Sequence, residues 1–123
     1  MKILYVEDND DNIYMLRNRL TRAGFTVVVA TDGAQGVAMA ASEQPDLILM
    51  DLSLPVLDGW EATRRIKANP ELTRIPVIAL TAHASREDMD RARQAGCSAY
   101  LTKPVDCDEL IGTLRQQLDG GAR

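Results

Sequence analysis

The chain has 123 residues, 46% of them hydrophobic, which suffices for one domain with a single core and leaves no room for a second. Its formal net charge of −4 argues against a nucleic-acid surface, because neutralising phosphates needs clustered lysine and arginine, and the basic residues here are scattered. The apolar run from Ile3 to Val6 is too short for a signal peptide, and no run approaches the ~18 apolar residues of a membrane span, so we expect a cytoplasmic protein without a membrane partner.

Short apolar runs alternate with segments of helical spacing along the whole chain. Apolar runs of this length, separated by helices, are typical of buried parallel strands whose crossover helices cover both faces of the sheet. The sequence therefore predicts an α/β protein built from five βα units. The predicted strands are Lys2 to Val6, Thr26 to Ala30, Asp46 to Met50, Ile75 to Leu80 and Ala99 to Thr102.

The first two predicted helices differ in their apolar faces. In the first helix, Ile13, Leu16 and Leu20 share one face, and Gly24 follows as a stop signal. The second ends before Pro45, and its predicted buried face is a stripe of small residues: Ala34, Val37, Ala38 and Ala41.

The remaining helices follow in the second half of the chain. The third is expected to run from about Asp58-Gly59 to Ala68. The fourth, between the cap Ser85 and Gly96, has little to bury, which makes it a candidate for movement; its apolar residues are Met89, Ala92 and Ala95. The fifth starts at Asp106 and is expected to bury Leu110, Ile111, Leu114 and Leu118.

Polar residues of different kinds follow four of the predicted strands: Glu7-Asp8, Asp51, Thr81 and Lys103-Pro104. Parallel strands end at one edge of the sheet, where open α/β folds bind ligands, so these side chains should meet. Carboxylates ~5 Å apart repel by roughly 3 kcal/mol per pair at an effective dielectric of about 20. A hard divalent cation such as Mg²⁺ offsets this best. Together with a lysine and a hydroxyl, the acids describe a phosphoryl-transfer site with an aspartate acceptor.

The residues at these positions resemble the receiver domains of bacterial two-component response regulators. The resemblance is carried by VEDN at 6–9, LILMDLSLPVLDG at 47–59, ALTA at 79–82 and KP at 103–104. It implies a flavodoxin-like, doubly wound (βα)5 fold with strand order 2-1-3-4-5. It also implies a receiver domain over residues 1–119, followed by a short C-terminal tail, 120–123.

The resemblance implies a metal-assisted acceptor site. Asp51 would accept the phosphoryl group, and Asp8 and Asp51 would ligate Mg²⁺, which Mn²⁺ could replace. The main-chain carbonyl of Ser53 would be the third protein ligand. Glu7 would hold a metal-bound water.

The resemblance also implies the residues that sense the phosphoryl group. Thr81 would donate a hydrogen bond to a phosphoryl oxygen, and Lys103 would pair with the phosphate. Pro104 is expected to follow a cis peptide bond, which turns the lysine into the site. Tyr100 matches the aromatic switch residue, expected to swing inward when Thr81 moves.

Four further residues have weaker assignments. Ser53 and His83 occupy variable positions that, in similar proteins, border the path of the hydrolytic water, so they are candidates for setting the phosphoryl lifetime. The alternative for His83 is an exposed loop residue. Asp58 and Gly59 are interpreted as a turn and helix start with a structural role.

These assignments predict a signalling switch rather than an enzyme with a separate substrate. A histidine kinase or histidine phosphotransfer protein would phosphorylate Asp51, and the surface of the fourth helix, fifth strand and fifth helix would then bind a downstream protein or form a homodimer. We expect a stand-alone regulator, with a receiver cut from a hybrid kinase or longer regulator as the alternative. Two other classes are considered. An aspartate-based phosphatase would have a second aspartate where this sequence has Ser53. A flavin-binding electron carrier would bind phosphate at the loop after the first strand, which the acidic VEDNDDN at 6–12 would repel.

Overall fold

The protein is described by a computed structural model that covers residues 1–82 and 85–121. Strands and helices alternate throughout these ranges, as the sequence predicts. The elements are β1 (Lys2–Val6), α1 (Asp10–Arg22), β2 (Thr26–Ala30), α2 (Gly33–Glu43), β3 (Leu47–Asp51), α3 (Gly59–Ala68), β4 (Val77–Thr81), α4 (Arg86–Ala95), β5 (Ala99–Thr102) and α5 (Cys107–Gly121).

The five strands form one parallel sheet in the order β2-β1-β3-β4-β5. This confirms the predicted α/β fold and strand order. The third and fourth strands begin later than predicted, at Leu47 and Val77, and each extends by one residue to include the polar Asp51 and Thr81. Both of these side chains are therefore held by the sheet itself rather than by a loop.

Helices cover both faces of the sheet, and every residue of β3 and β4 is buried. On one face, the strands pack against leucines of two helices, namely Leu16 and Leu20 of α1 and Leu110 and Leu114 of α5. On the other face, the cluster includes Ala40 of α2 together with Ala62 and Ile66 of α3. Burial on both faces leaves the carboxyl ends of the strands as the place where polar groups can collect.

The buried face of α2 is not the one that the alanine stripe predicted. Gly33, Gly36 and Ala40 are buried, whereas Ala34, Ala38 and Ala41 are exposed and Val37 is half-buried. A Cβ atom on Gly36 would lie 3.1 Å from both γ carbons of Val6, so the helix meets the sheet through backbone. Glycine carries no hydrophobic signal, which is why the prediction chose the wrong face.

The last two helices differ in how firmly they are packed. In α4 only Ala92 and Ala95 are buried, and Met89 is 40% exposed, so its predicted burial was wrong. The N-terminus of α5 is capped by Asp106, whose Oδ1 accepts from the N–H groups two and three residues later, at 2.9 and 3.1 Å. Its buried residues are Leu110 and Leu114, and Ile111 and Leu118 are half-buried.

The helix α5 continues through Gly121, so the first two residues of the expected tail at 120–123 are helical. The division of the chain at residue 119 stays a prediction. Within residues 1–82 and 85–121, no helix has the length and apolar character that crossing a bilayer requires.

The start of α3 packs directly on the backbone at the end of β3. The N–H of Gly59 donates to the carbonyl of Leu52 at 3.2 Å. A Cβ atom on Gly59 would overlap the carbonyl oxygen of Asp51 and lie 2.7 Å from Cα of Leu52. Only glycine permits this approach, which fixes the loop after Asp51 against the helix.

We expect Gly59→Ala to lower the free energy of unfolding by about 1–3 kcal/mol, the usual cost of inserting a methyl group where backbone must shift. The matched control is Gly112→Ala in α5, where a Cβ meets nothing within 4 Å. That substitution should stabilise the protein by about 0.5–1 kcal/mol, because it removes a helix-interior glycine. Urea unfolding of both variants measures the difference, and an equal response would contradict the close approach at Gly59.

Candidate functional site

The carboxyl edge of the sheet gathers the acidic residues that the sequence placed at strand ends. Glu7 and Asp8 follow β1, and Asp51 ends β3, the neighbouring strand. One carboxylate oxygen from each of these three residues lies within 4.8 Å of the others. Glu7 and Asp51 are buried and Asp8 is exposed, so the cluster opens to solvent on the side of Asp8.

Both carboxylate oxygens of Asp51 have a defined donor. Its Oδ2 accepts from Nζ of Lys103 at 2.9 Å, and its Oδ1 accepts from the backbone N–H of Ser53 at 3.0 Å. The residue is only 3% exposed. Two donors from different directions orient the carboxylate and leave its position little freedom.

Glu7 is more heavily hydrogen-bonded than any sequence pattern indicated. Its Oε1 accepts from the Tyr5 hydroxyl at 3.2 Å, from Lys103 Nζ at 3.3 Å and from Asn12 Nδ2 at 3.4 Å. Its Oε2 faces the backbone N–H groups of the next two residues, at 3.2 and 3.4 Å. Tyr5 and Asn12 were not predicted from the sequence as residues of the site. The available signal for Tyr5 was its position two residues before Glu7, because such residues share one face of a strand.

The burial and crowding of the acids change the pKa values at the site. Burial, with the hydrogen bond and charge of Asp51, raises the pKa of Glu7 to about 7, although Lys103 acts in the opposite direction. Burial alone would lower the pKa of Lys103, but Asp51 and Glu7 raise it above its ordinary value. Burial and then the charge of Glu7 raise the pKa of Tyr5 well above its usual range, so its hydroxyl stays a donor. Below about pH 7, Glu7 therefore retains a proton in the metal-free site.

The residues expected to sense a phosphoryl group lie along the same edge. Thr81 is 5% exposed at the end of β4, and its carbonyl accepts from the N–H of Lys103 at 2.6 Å. The peptide bond between Lys103 and Pro104 is cis. Tyr100 is half-buried in β5 and packs against the apolar cluster of Leu52, Ala79 and Ala92.

Ser53 and Asp58, also named from the sequence, lie near Asp51 without joining the acid cluster. Ser53 is exposed, with its N–H on Asp51. Asp58 caps α3, since its Oδ1 accepts from the N–H of Glu61 at 2.9 Å. His83 lies outside the residues that the structure describes.

The donor set fits a hard divalent cation. Three carboxylates supply oxygen ligands, which Mg²⁺ and Mn²⁺ prefer, and no cysteine or histidine belongs to the metal-compatible cluster found within residues 1–82 and 85–121. Lys103 already pairs with two of the acids and adds one positive charge. A divalent cation would neutralise the negative charge that remains on the three carboxylates.

Comparison with known proteins identifies the family to which the chain is similar. The family model of the response regulator receiver domain matches residues 3–115. The polar-differentiation response regulator DivK of Brucella anthropi is 39% identical over 116 residues, which is 94% of each chain.

Solved structures are similar over nearly the whole chain. One is the receiver domain of the sensor histidine kinase PA1611 from Pseudomonas aeruginosa PAO1, with a magnesium ion coordinated in its active site cleft. It is 42% identical with a TM-score of 0.90, covering 96% of this chain and 97% of that one. The chemotaxis protein CheY4 of Vibrio cholerae is 29% identical with a TM-score of 0.88, covering 94% and 96%. These matches decide among the classes considered from the sequence: the chain belongs to the response regulator receiver domains of two-component signalling.

Proposed function

We propose that this receiver domain is a switch controlled by phosphorylation of Asp51, with a histidine kinase or histidine phosphotransfer protein as the donor. The observation that supports this best is the position of the Asp51 carboxylate. It is buried at the carboxyl edge of the sheet, in one cluster with Glu7 and Asp8, and lies 2.9 Å from the amine of Lys103. A carboxylate held among acids, with one lysine, is arranged to receive a phosphoryl group once its charge is balanced.

Mg²⁺, or Mn²⁺ in its place, is the cofactor we propose for this balance. Asp8, Asp51 and the main-chain carbonyl of Ser53 would hold the ion, and Glu7 would act through a water. The carboxylate oxygens within 4.8 Å support this, as does the magnesium in the cleft of the 42% identical PA1611 receiver domain. When bound, the ion supplies positive charge to the phosphoryl oxygens and to the acids.

The chain's own residues carry out the transfer. An oxygen of Asp51 attacks the phosphorus, an O–P bond forms, and the P–N bond of phosphohistidine breaks with its electron pair returning to the imidazole. Lys103 then pairs with a phosphoryl oxygen instead of Asp51, and the hydroxyl of Thr81 donates to another. Water later hydrolyses the acyl phosphate and restores Asp51. We propose Ser53 and His83 as the residues that set this rate.

The output surface we propose is α4-β5-α5. The packing of Leu52, the residue after the acceptor, supports it. Leu52 lies in one apolar cluster with Ala79 of β4 and Ala92 of α4, and with Trp60 and Tyr100 at its edge, so the residue after Asp51 belongs to the same packed group as α4. When Thr81 moves toward the phosphate, Tyr100 would swing inward, and α4, which buries few residues, would shift. A downstream protein, or a second copy of this chain, would bind the changed surface.

Incubation with acetyl phosphate and Mg²⁺ should give one phosphoryl adduct by intact mass, and none in EDTA or with Asp51→Asn. Asp11→Asn is the matched control, because it removes an exposed acid of α1 that lies outside the metal-compatible cluster. It should be phosphorylated like the wild type. An adduct that persists on Asp51→Asn would assign the acceptor elsewhere.

Asp51→Asn should also raise the melting temperature of the metal-free protein at about pH 8, where Glu7 is ionised and the acids repel most. We expect a gain on the order of 1 kcal/mol, because lost repulsion outweighs the ion pair, and Lys103 keeps Glu7 as its partner. The gain that Mg²⁺ gives to the wild type should shrink in this variant. Asp119→Asn, exposed on α5, is the control. An unchanged melting temperature with a full Mg²⁺ effect would count against the crowded cluster.

The pKa of Glu7 makes both stability and metal affinity depend on pH. Since the folded-state pKa is raised from 4.5 to about 7, only the folded protein keeps this proton between those values, so the stabilising proton is lost as the pH rises through 7. Mg²⁺ binding should strengthen over the same rise, by up to about 10-fold per pH unit below 7. Calorimetric titration between about pH 6 and about pH 8 measures this. Glu7→Gln should flatten the dependence, and an unaltered slope in that variant would refute the assignment.

A further inference from the structure

The side chain of Tyr5 has its ring in the apolar core and its hydroxyl at the acid cluster. It is 1% exposed, and its ring lies in the apolar cluster formed with Leu16, Leu20 and Leu80. Its hydroxyl leaves this cluster and donates to Oε1 of Glu7 at 3.2 Å. A phenylalanine would fill the same apolar space, so packing alone does not explain the hydroxyl.

The hydroxyl contacts the buried acid of the cluster that borders a cavity. A cavity of about 70 Å³ adjoins Glu7, and its wall includes Tyr5, Leu16, Leu80 and Val105. The wall also includes Asn12 and Lys103, so the cavity leaves room for the Glu7 carboxylate to turn away from the hydroxyl of Tyr5. Hydrogen bonds therefore have to hold Glu7 in place.

The donors to Oε1 differ in how firmly they are held themselves. Lys103 is 25% exposed and also pairs with Asp51, and Asn12 reaches in from the half-buried side of α1. Tyr5 is fixed by its strand and by the core around its ring. A phenol in a packed core is a donor at a fixed position, which the other two side chains are not.

We infer that Tyr5 is a positioning residue of the phosphorylation site, whose hydroxyl holds the Glu7 carboxylate toward the bound Mg²⁺ and its water. This inference rests on the proposed function, because it assigns Glu7 to that metal. Tyr5 does not contact the reacting atoms. It acts through Glu7, as partners that orient metal-binding groups do in other sites.

Tyr5→Phe should weaken Mg²⁺ binding by about 10-fold, the lower end of the effect of removing such a partner. Tyr14→Phe is the matched control, the same chemical change on a tyrosine that is 74% exposed on α1. It should leave the Mg²⁺ affinity unchanged. Calorimetric titration of Mg²⁺ alone is the measurement, with circular dichroism to verify that each variant is folded.

Two further readouts separate positioning from a structural role. With acetyl phosphate, Tyr5→Phe should raise the Mg²⁺ concentration that gives half-maximal phosphorylation and leave the rate at saturating Mg²⁺ unchanged. In a Glu7→Ala background, the second substitution Tyr5→Phe should change Mg²⁺ affinity by less than about 2-fold, because the group it orients is gone.

An equal loss of affinity with and without Glu7, a lower rate at saturating Mg²⁺, or no loss in Tyr5→Phe would each overturn the inference. The failure of the proposed function looks different, since then the wild type itself would neither bind Mg²⁺ nor form an adduct.

Discussion

The repulsion among three carboxylates at one edge of the sheet is the constraint on which the rest of the site depends. Glu7, Asp8 and Asp51 could not share this space as free anions, and the fold opposes their repulsion in two ways. Lys103 contacts Glu7 and Asp51 together, and the raised pKa of Glu7 keeps a proton in the buried part of the cluster below about pH 7. Both measures are reversible. In the proposed function, the lysine would exchange a carboxylate for a phosphoryl oxygen and the proton would leave when a cation binds, so the same repulsion would prepare the site for its ligands.

The sheet determines where in the molecule the carboxylates meet. Its central strand β3 is buried along its whole length, and the chain can present Asp51 only where that strand ends. The backbone N–H of Ser53 then turns back onto the carboxylate, and Gly59 brings α3 against the same turn. The Asp51 carboxylate is thus held by a backbone N–H on one side and by the amine of Lys103 on the other.

Most of the fold could be predicted because its signals are strong and local. The first, second and fifth strands were predicted at their observed bounds, Lys2–Val6, Thr26–Ala30 and Ala99–Thr102, since each is a short apolar run between turn residues. The acid cluster followed from topology alone, because parallel strands end together. The contacts that could not be predicted depend on a missing side chain, as in glycine, or on one polar atom at the end of a side chain. Two of the three buried residues of α2 are glycines, which carry no apolar pattern. In the sequence Tyr5 is one more core aromatic, and the role of its hydroxyl shows only once Glu7 lies beside it.

Helix α4 is weakly anchored, in contrast to the Asp51 carboxylate. The helix buries only Ala92 and Ala95, and an exposed cation–π contact, with Arg91 3.8 Å from the centre of the Trp60 ring, adds about 0.5–1 kcal/mol. The buried indole N–H of Trp60 finds no acceptor within residues 1–82 and 85–121, and an unsatisfied donor of this kind costs about 1–3 kcal/mol. Few buried residues therefore hold α4 against the rest of the domain. In the proposed switch, a change at Asp51 would reach this helix through the apolar cluster that contains Leu52 and Ala92.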